Sequence, residues 1–192
     1  MSLSDLSKRQ HAPDLAKQLG ADGIRCLLKL MCEAYHELLA SGFVQKDTPE
    51  NTINEQWSAY IIMKWRQNQS ISVIPIPQKE DLTRGKKGKR SPTIDFCFRA
   101  ELYPESYFGA ECKLLDEGNK KHIHEYLSDK NGIGRYLDGR YGAKSSAGAM
   151  VGYIRVGKST NVIKDLSGKI STLSGKPRNG KRKACRNFFR II

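Results

Sequence analysis

Apolar residues along this chain recur on two different periods, and the change of period divides it into helices and strands. Over residues 22–40, Ile24, Leu27, Leu28, Met31, Tyr35, Leu38 and Leu39 return at three- and four-residue spacing, which predicts a helix ended by Ser41-Gly42. A second helix starts near Thr48-Pro49 or Asn51-Thr52, since either pair offers a cap. It carries Ile53, Trp57, Tyr60 and Ile61 towards Trp65. The pattern then shortens. Residues 71–76, 93–102 and 107–115 read as strands, with Pro75 marking an edge or a strand end and Tyr103-Pro-Glu-Ser106 a turn. Residues 119–129 are helical again, Gly132 and Gly134 interrupt, and residues 135–142 allow a short helical turn. Residues 149–156 form an apolar strand, 160–172 a helix, and 187–192 a candidate last strand.

Two helices, three strands, then helix, strand and helix predict an α/β domain built on a mixed central β-sheet flanked by helices. The expected division is a helical extension over 1–45, a core over 46–172 and a basic tail over 173–192. Hydrophobic residues make up 39% of the 192 positions and charged residues 28%, a balance that favours a folded chain over disorder. No apolar run approaches the roughly 20 residues of a membrane span. The N-terminal stretch lacks the apolar centre of a leader, and the five cysteines have no scaffold-like spacing. The expectation is a cytoplasmic protein with reduced thiols and no membrane association.

Charge alters the picture most. The net charge is +13, which favours capture of polyanions. The basic residues are clustered, not interspersed. One cluster runs from Arg84 to Arg90 and contains Lys86, Lys87, Lys89 and Arg90; the other is the acid-free stretch from Lys176 to Arg190, with Lys181, Arg182 and Lys183 at its centre. Glycines within the first suit a loop that follows a phosphate backbone. Residues 132–142 add Arg135 and Arg140 among tyrosines and glycines, a composition that can grip phosphates or stack on bases. Solubility alone, or arginines exposed on a turn, would also account for these residues.

Candidate chemistry lies on two of the strands. In Ile94-Asp-Phe-Cys-Phe98 the alternation of side chains sends Asp95 away from its apolar neighbours. In Gly109-Ala-Glu-Cys-Lys113 it sets Glu111 and Lys113 on one face. If these strands are hairpin neighbours, the three side chains meet. Two adjacent carboxylates repel when ionised, a divalent cation removes that cost, and hard oxygen ligands suit magnesium. Metal, carboxylates and a lysine suffice for phosphodiester hydrolysis. The plainer reading makes Asp95 a charge that protects a sheet edge and the other two solvent-facing strand residues.

This arrangement, Asp95 followed by Glu111-Cys112-Lys113 with an acidic helix before it, resembles the PD-(D/E)xK nuclease superfamily over roughly residues 50–157. Ile94 stands where the motif's proline would be. The resemblance implies a restriction-endonuclease-like three-layer sandwich and a magnesium-dependent nuclease, with manganese a substitute, acting on DNA in a restriction or defence role. RNA and a homodimer stay open. It implies that Asp95, Glu111 and the carbonyl of Cys112 ligate the metal, that Lys113 serves the water, and that Arg135, ahead of Arg140, faces the scissile phosphate. Glu55 takes the place of the family's extra helical acid, although Thr52-Ile-Asn-Glu55 also fits a capping box. The alternative function is a non-catalytic, basic nucleic-acid-binding module.

Three other patterns are set aside. Gly152 to Ser159 satisfies the P-loop expression, but its middle residues are too bulky for a phosphate cradle, and Lys158-Ser159 reads as a strand-to-helix turn. His122 and His124, two apart on a helix, diverge and read as exposed. Cys26 and Cys32 read as core residues of the first helix.

Overall fold

The computed structural model describes residues 14–68, 73–80, 93–101, 106–128, 130–137, 145–174 and 187–191. The basic cluster Lys86, Lys87, Lys89 and Arg90, the tail cluster Lys181, Arg182 and Lys183, and Arg140 lie outside them.

The first helix, α1 (Leu15–Ala40), begins earlier than its periodicity suggests. Asp14 caps it by accepting the Lys17 N–H at 3.3 Å, and Gly20, at φ 63° and ψ −173°, breaks it. Only glycine adopts that pair of angles at low cost, so the regular stripe starts after it. Helix α2 (Glu50–Gln67) follows a turn in which Thr48 Oγ1 accepts the Gln45 N–H. Pro49 occupies its N-cap position without a side-chain hydrogen bond. Thr52 therefore lies inside the helix, and the capping box predicted for Glu55 does not form.

Among the described residues five strands follow in the order β1-β2-β3-β4-β5, the order of the chain. They are β1 (Val73–Glu80), β2 (Thr93–Ala100), β3 (Tyr107–Leu114), β4 (Ala147–Tyr153) and β5 (Asn187–Ile191). The pairs β1–β2 and β2–β3 are antiparallel, β3–β4 and β4–β5 parallel, so the sheet is mixed as expected. Pro75 and Pro77 both fall in β1, whose outer side no strand covers among the described residues. Helices α3 (Lys120–Leu127) and α4 (Gly134–Leu137) lie between β3 and β4, and α5 (Ser159–Ser174) lies between β4 and β5. Both segments meet the need of a parallel pair for a long connection.

Helices cover both faces of the sheet. On one, Trp57 of α2 packs its ring against Tyr35 of α1, Phe96 of β2 and Tyr153 of β4, while its Nε1 donates to the Met31 carbonyl at 3.0 Å. Tyr35 also stacks on Tyr153. Leu27, Met31 and Leu38 of α1 are wholly buried in the same core as the sheet. On the other face, Tyr136 of α4 lies over Gly148, where a Cβ would stand 2.5 Å from its ring, and Tyr126 of α3 donates to the Met150 carbonyl. Every residue of β4 is buried, as fits a parallel strand covered on both sides. Among the described residues no helix is long and apolar enough to cross a membrane.

The cysteines depart from expectation, since Cys26 is exposed and Cys32 half-buried, whereas Cys97 and Cys112 are buried. The α1 stripe passes beside Cys26, and Leu27 and Met31 take the core positions.

Trp57→Ala would remove the side chain that joins both N-terminal helices to the sheet. The expected cost is about 3–5 kcal/mol, read as a lower urea midpoint with an unchanged m-value.

Candidate functional site: a carboxylate–lysine cleft

Strand β2 pairs with β3 through Phe96 opposite Ala110 and Phe98 opposite Phe108. Continuing that register sets Asp95 across from Glu111. Asp95, Glu111 and Lys113 all line one cleft of about 350 Å³, together with Glu50, Asn131 and Arg135. The three residues read from the strands are therefore together.

Each side chain is held by identifiable partners. Asp95 Oδ2 accepts the Cys112 N–H at 2.8 Å, a side chain in place of a main-chain acceptor. Lys113 Nζ lies 3.0 Å from Glu50 Oε1 and 3.3 Å from Glu111 Oε1, and it donates to the Cys112 carbonyl at 2.6 Å. Glu111 Oε1 also receives Arg135 at 3.3 Å. Arg135 is fixed in turn by donating to the Lys130 carbonyl at 2.6 Å and to Asn131 Oδ1 at 3.3 Å. The cleft thus sets four carboxylates, Glu125 the fourth, against two cationic side chains.

Glu111 is only 3% exposed, and among the described residues its buried Oε2 has no hydrogen-bond partner. A buried carboxylate oxygen left unmatched is costly. Burial raises the pKa of Glu111 to about 7, Asp95 beside it adds to the rise, and Lys113 and Arg135 only partly oppose it. Burial likewise raises Asp95, against the pull of Lys113 and of the Cys112 N–H. Burial also disfavours the charge on Lys113, but Glu111, Asp95 and Glu50 outweigh it, and its pKa is raised. Lys113 therefore acts as a cation.

These residues fit a hard divalent cation. The donors are oxygens, one of them is buried without a partner among the described residues, and both strand carboxylates are raised by burial and then by a neighbouring carboxylate, a cost that +2 would relieve. Among the described residues no three His, Cys, Asp or Glu side chains form a metal-binding group. Two carboxylates and a main-chain carbonyl match the sparse protein ligation of magnesium, which keeps waters and substrate oxygens for its other positions. The Cys112 side chain takes no part. It is buried against the Tyr153 hydroxyl, which donates to Asn54 Oδ1 at 2.8 Å, and burial holds its thiol well above the usual pKa.

The helical acid differs from the one expected. Glu55 is exposed, whereas Glu50 enters the cleft. Five residues along a helix turn the chain by about 140° beyond a full turn, so the two face different ways. Glu50 continues the stripe of Asn54, Trp57 and Ile61, all buried, at four-, three- and four-residue steps. That spacing was visible in the sequence, but an acid in a first turn is well explained by the helix dipole alone.

Gly152 and Tyr153 end β4, Gly157 turns the chain at φ 96°, and α5 starts at Ser159, the strand-to-helix turn that was expected. Glu117 accepts the Lys158 N–H at 2.7 Å and the Asn161 amide at 2.6 Å, which sets a carboxylate where a phosphate cradle would hold an anion. His124 is exposed, but His122 is half-buried, with Nδ1 3.5 Å from Asp116 Oδ2. Burial would raise Asp116, yet Arg155 lowers it on balance, donating from its guanidinium at 2.6 Å and its main-chain N–H at 3.0 Å. Arg155 also donates to the Thr48 carbonyl, tying the entry of α2 to the ends of β3 and β4.

The raised Glu111 carboxyl implies a pH effect of definite sign. The folded chain binds this proton more tightly than the unfolded one, so the contribution is complete below the ordinary value of 4.5 and disappears as pH rises through about 7. Without divalent metal, stability is expected to fall by roughly 3 kcal/mol or less across that window. In Glu111→Gln the slope should flatten, as read by urea unfolding at stepped pH.

No protein-family model, no curated protein and no solved structure matches the chain, so the geometry of this cleft is what speaks to its activity.

Proposed function

We propose that the chain is a divalent-metal-dependent nuclease of the restriction-endonuclease-like, PD-(D/E)xK type, hydrolysing phosphodiester bonds in DNA. One observation carries this reading: Asp95, Glu111 and Lys113, from adjacent strands, share a cleft in which a buried Glu111 oxygen has no partner among the described residues. A mixed sheet with helices on both faces accords with it. The net charge of +13 supplies the attraction for a polyanion.

Asp95, Glu111 and the Cys112 carbonyl would hold the cation. Bound there, magnesium or manganese would lower the pKa of a water and stabilise charge on the phosphodiester. The side chains divide the remaining work. Lys113, kept protonated by its carboxylate neighbours, orients the water or offsets negative charge as the bond breaks; it does not serve as a base. Arg135, anchored by Lys130 and Asn131, presents its guanidinium at the cleft, where a phosphate could displace Glu111 as its anion. Glu111 holds its proton up to about pH 7 in the empty cleft, so cation uptake should release close to one proton and strengthen as pH rises.

The purified protein is expected to cut circular and linear DNA with magnesium or manganese and to stop with chelator. Glu111→Ala and Lys113→Ala should each lower the rate by about a hundredfold or more. Unchanged cutting in both variants would remove the site assignment. Salt-sensitive DNA retention with no cutting in any divalent metal would leave a binding module only.

A further inference from the structure

The position of Glu50 has a consequence for how a cation could enter. Its two oxygens do different jobs: Oε2 accepts the Leu114 N–H at 3.0 Å, and Oε1 meets Lys113 Nζ at 3.0 Å. A carboxylate anchored on a strand's main chain by one oxygen cannot swing freely with the other. Its backbone lies at the start of α2, and the turn before that helix is tied by Arg155 to the strand ends. Lys113, in contrast, is shared. The same ammonium donates to the Cys112 carbonyl at 2.6 Å and lies 3.3 Å from Glu111 Oε1. It therefore sits on the oxygens a divalent cation would need, and its positive charge opposes a second cation placed there.

We propose that Glu50 is a positioning residue for Lys113: it holds the ammonium on the α2 side of the cleft, so that a divalent cation can take the Cys112 carbonyl and Glu111 without expelling the lysine from the site. This rests on the nuclease reading for the identity of the incoming ion, but the Glu50–Lys113 contact stands without it. When a divalent cation takes the carbonyl, the Glu50 carboxylate leaves Lys113 a charged partner. Without the Glu50 carboxylate, the ammonium is left with Glu111, Asp95 and the carbonyl, and it competes directly with the metal. Glu50 thus acts through Lys113 and is not itself a ligand.

A double-mutant cycle on manganese affinity, measured by calorimetry on the full chain, separates the two roles. Lys113→Met, which removes the competing charge, should bind manganese about tenfold or more tightly than the wild type. Glu50→Gln should weaken binding severalfold in the wild-type background and change it little in Lys113→Met. An equal loss in both backgrounds would make Glu50 a ligand and overturn the proposal. Glutamine keeps an acceptor for the Leu114 N–H, so the fold should persist, and thermal unfolding checks this.

Reductive methylation followed by peptide mass spectrometry tests the contact with no metal present. Lys113 should be protected in the wild type and modified severalfold faster in Glu50→Gln, while Glu37→Gln, which alters an ion pair with Lys64 between α1 and α2, leaves it protected. Equal protection in Glu50→Gln overturns the proposal whether or not a cation binds. A wild type that binds no manganese removes the nuclease reading, and the methylation result then decides the positioning role by itself.

Discussion

The burial of Glu111 inside the sheet constrains everything around it. A carboxylate with one oxygen enclosed and unmatched is tolerated only if nearby charge offsets the lost hydration. Lys113 and Arg135 supply part of that charge, and they come from different directions, one along the same strand and the other from the start of α4. Each is then fixed by further acceptors, Lys113 by Glu50 and the Cys112 carbonyl, Arg135 by Lys130 and Asn131. The compensation is incomplete, since the Glu111 carboxyl remains raised to about 7. A buried carboxyl raised by burial and a like charge is the kind of perturbed group that marks functional clefts.

The rest of the fold keeps this cluster in register. The aromatic contacts of Trp57 with Tyr35, Phe96 and Tyr153 set the height of α2 over the sheet. That height determines whether Glu50, at the first turn, reaches the end of β3. Arg155 performs a related task at the same end, joining Asp116 to the Thr48 carbonyl just before α2. On the opposite face, Gly148 lets Tyr136 approach the sheet, and with it the short helix that carries Arg135. Cleft and core are therefore parts of one packing problem. The second buried ion pair, Asp116 with Arg155, has its charges matched at short range and its carboxyl lowered, opposite in sign to Glu111. That contrast separates a structural ion pair from a cluster held short of neutrality.

Local pattern carried much of this. Strand parity set Asp95 apart from its apolar neighbours and grouped Glu111 with Lys113, because a period of two is a property of the extended backbone and needs no tertiary information. Pro75 pointed to an edge strand for the same kind of reason. Arg135 was legible as a basic residue in a glycine-broken segment, and it does reach Glu111. Glu55 was misread because a capping box and a helical acid both fit its spacing, while the helix starts two residues before Thr52. His122 and Cys26 were misjudged because helix periodicity gives a face but not what lies opposite it.

By itself, the sequence determined the kinds of chemical group present, the strands that bear them and the side of each strand they occupy, since those follow from backbone geometry over a few residues. It also determined the large positive charge. Only the tertiary structure decided that Glu50 meets Lys113, that Arg135 meets Glu111, and that one Glu111 oxygen is enclosed without a partner. These contacts join residues 24 to 63 positions apart. Their distances depend on how helices pack on the sheet to within an ångström or so, which no local pattern encodes.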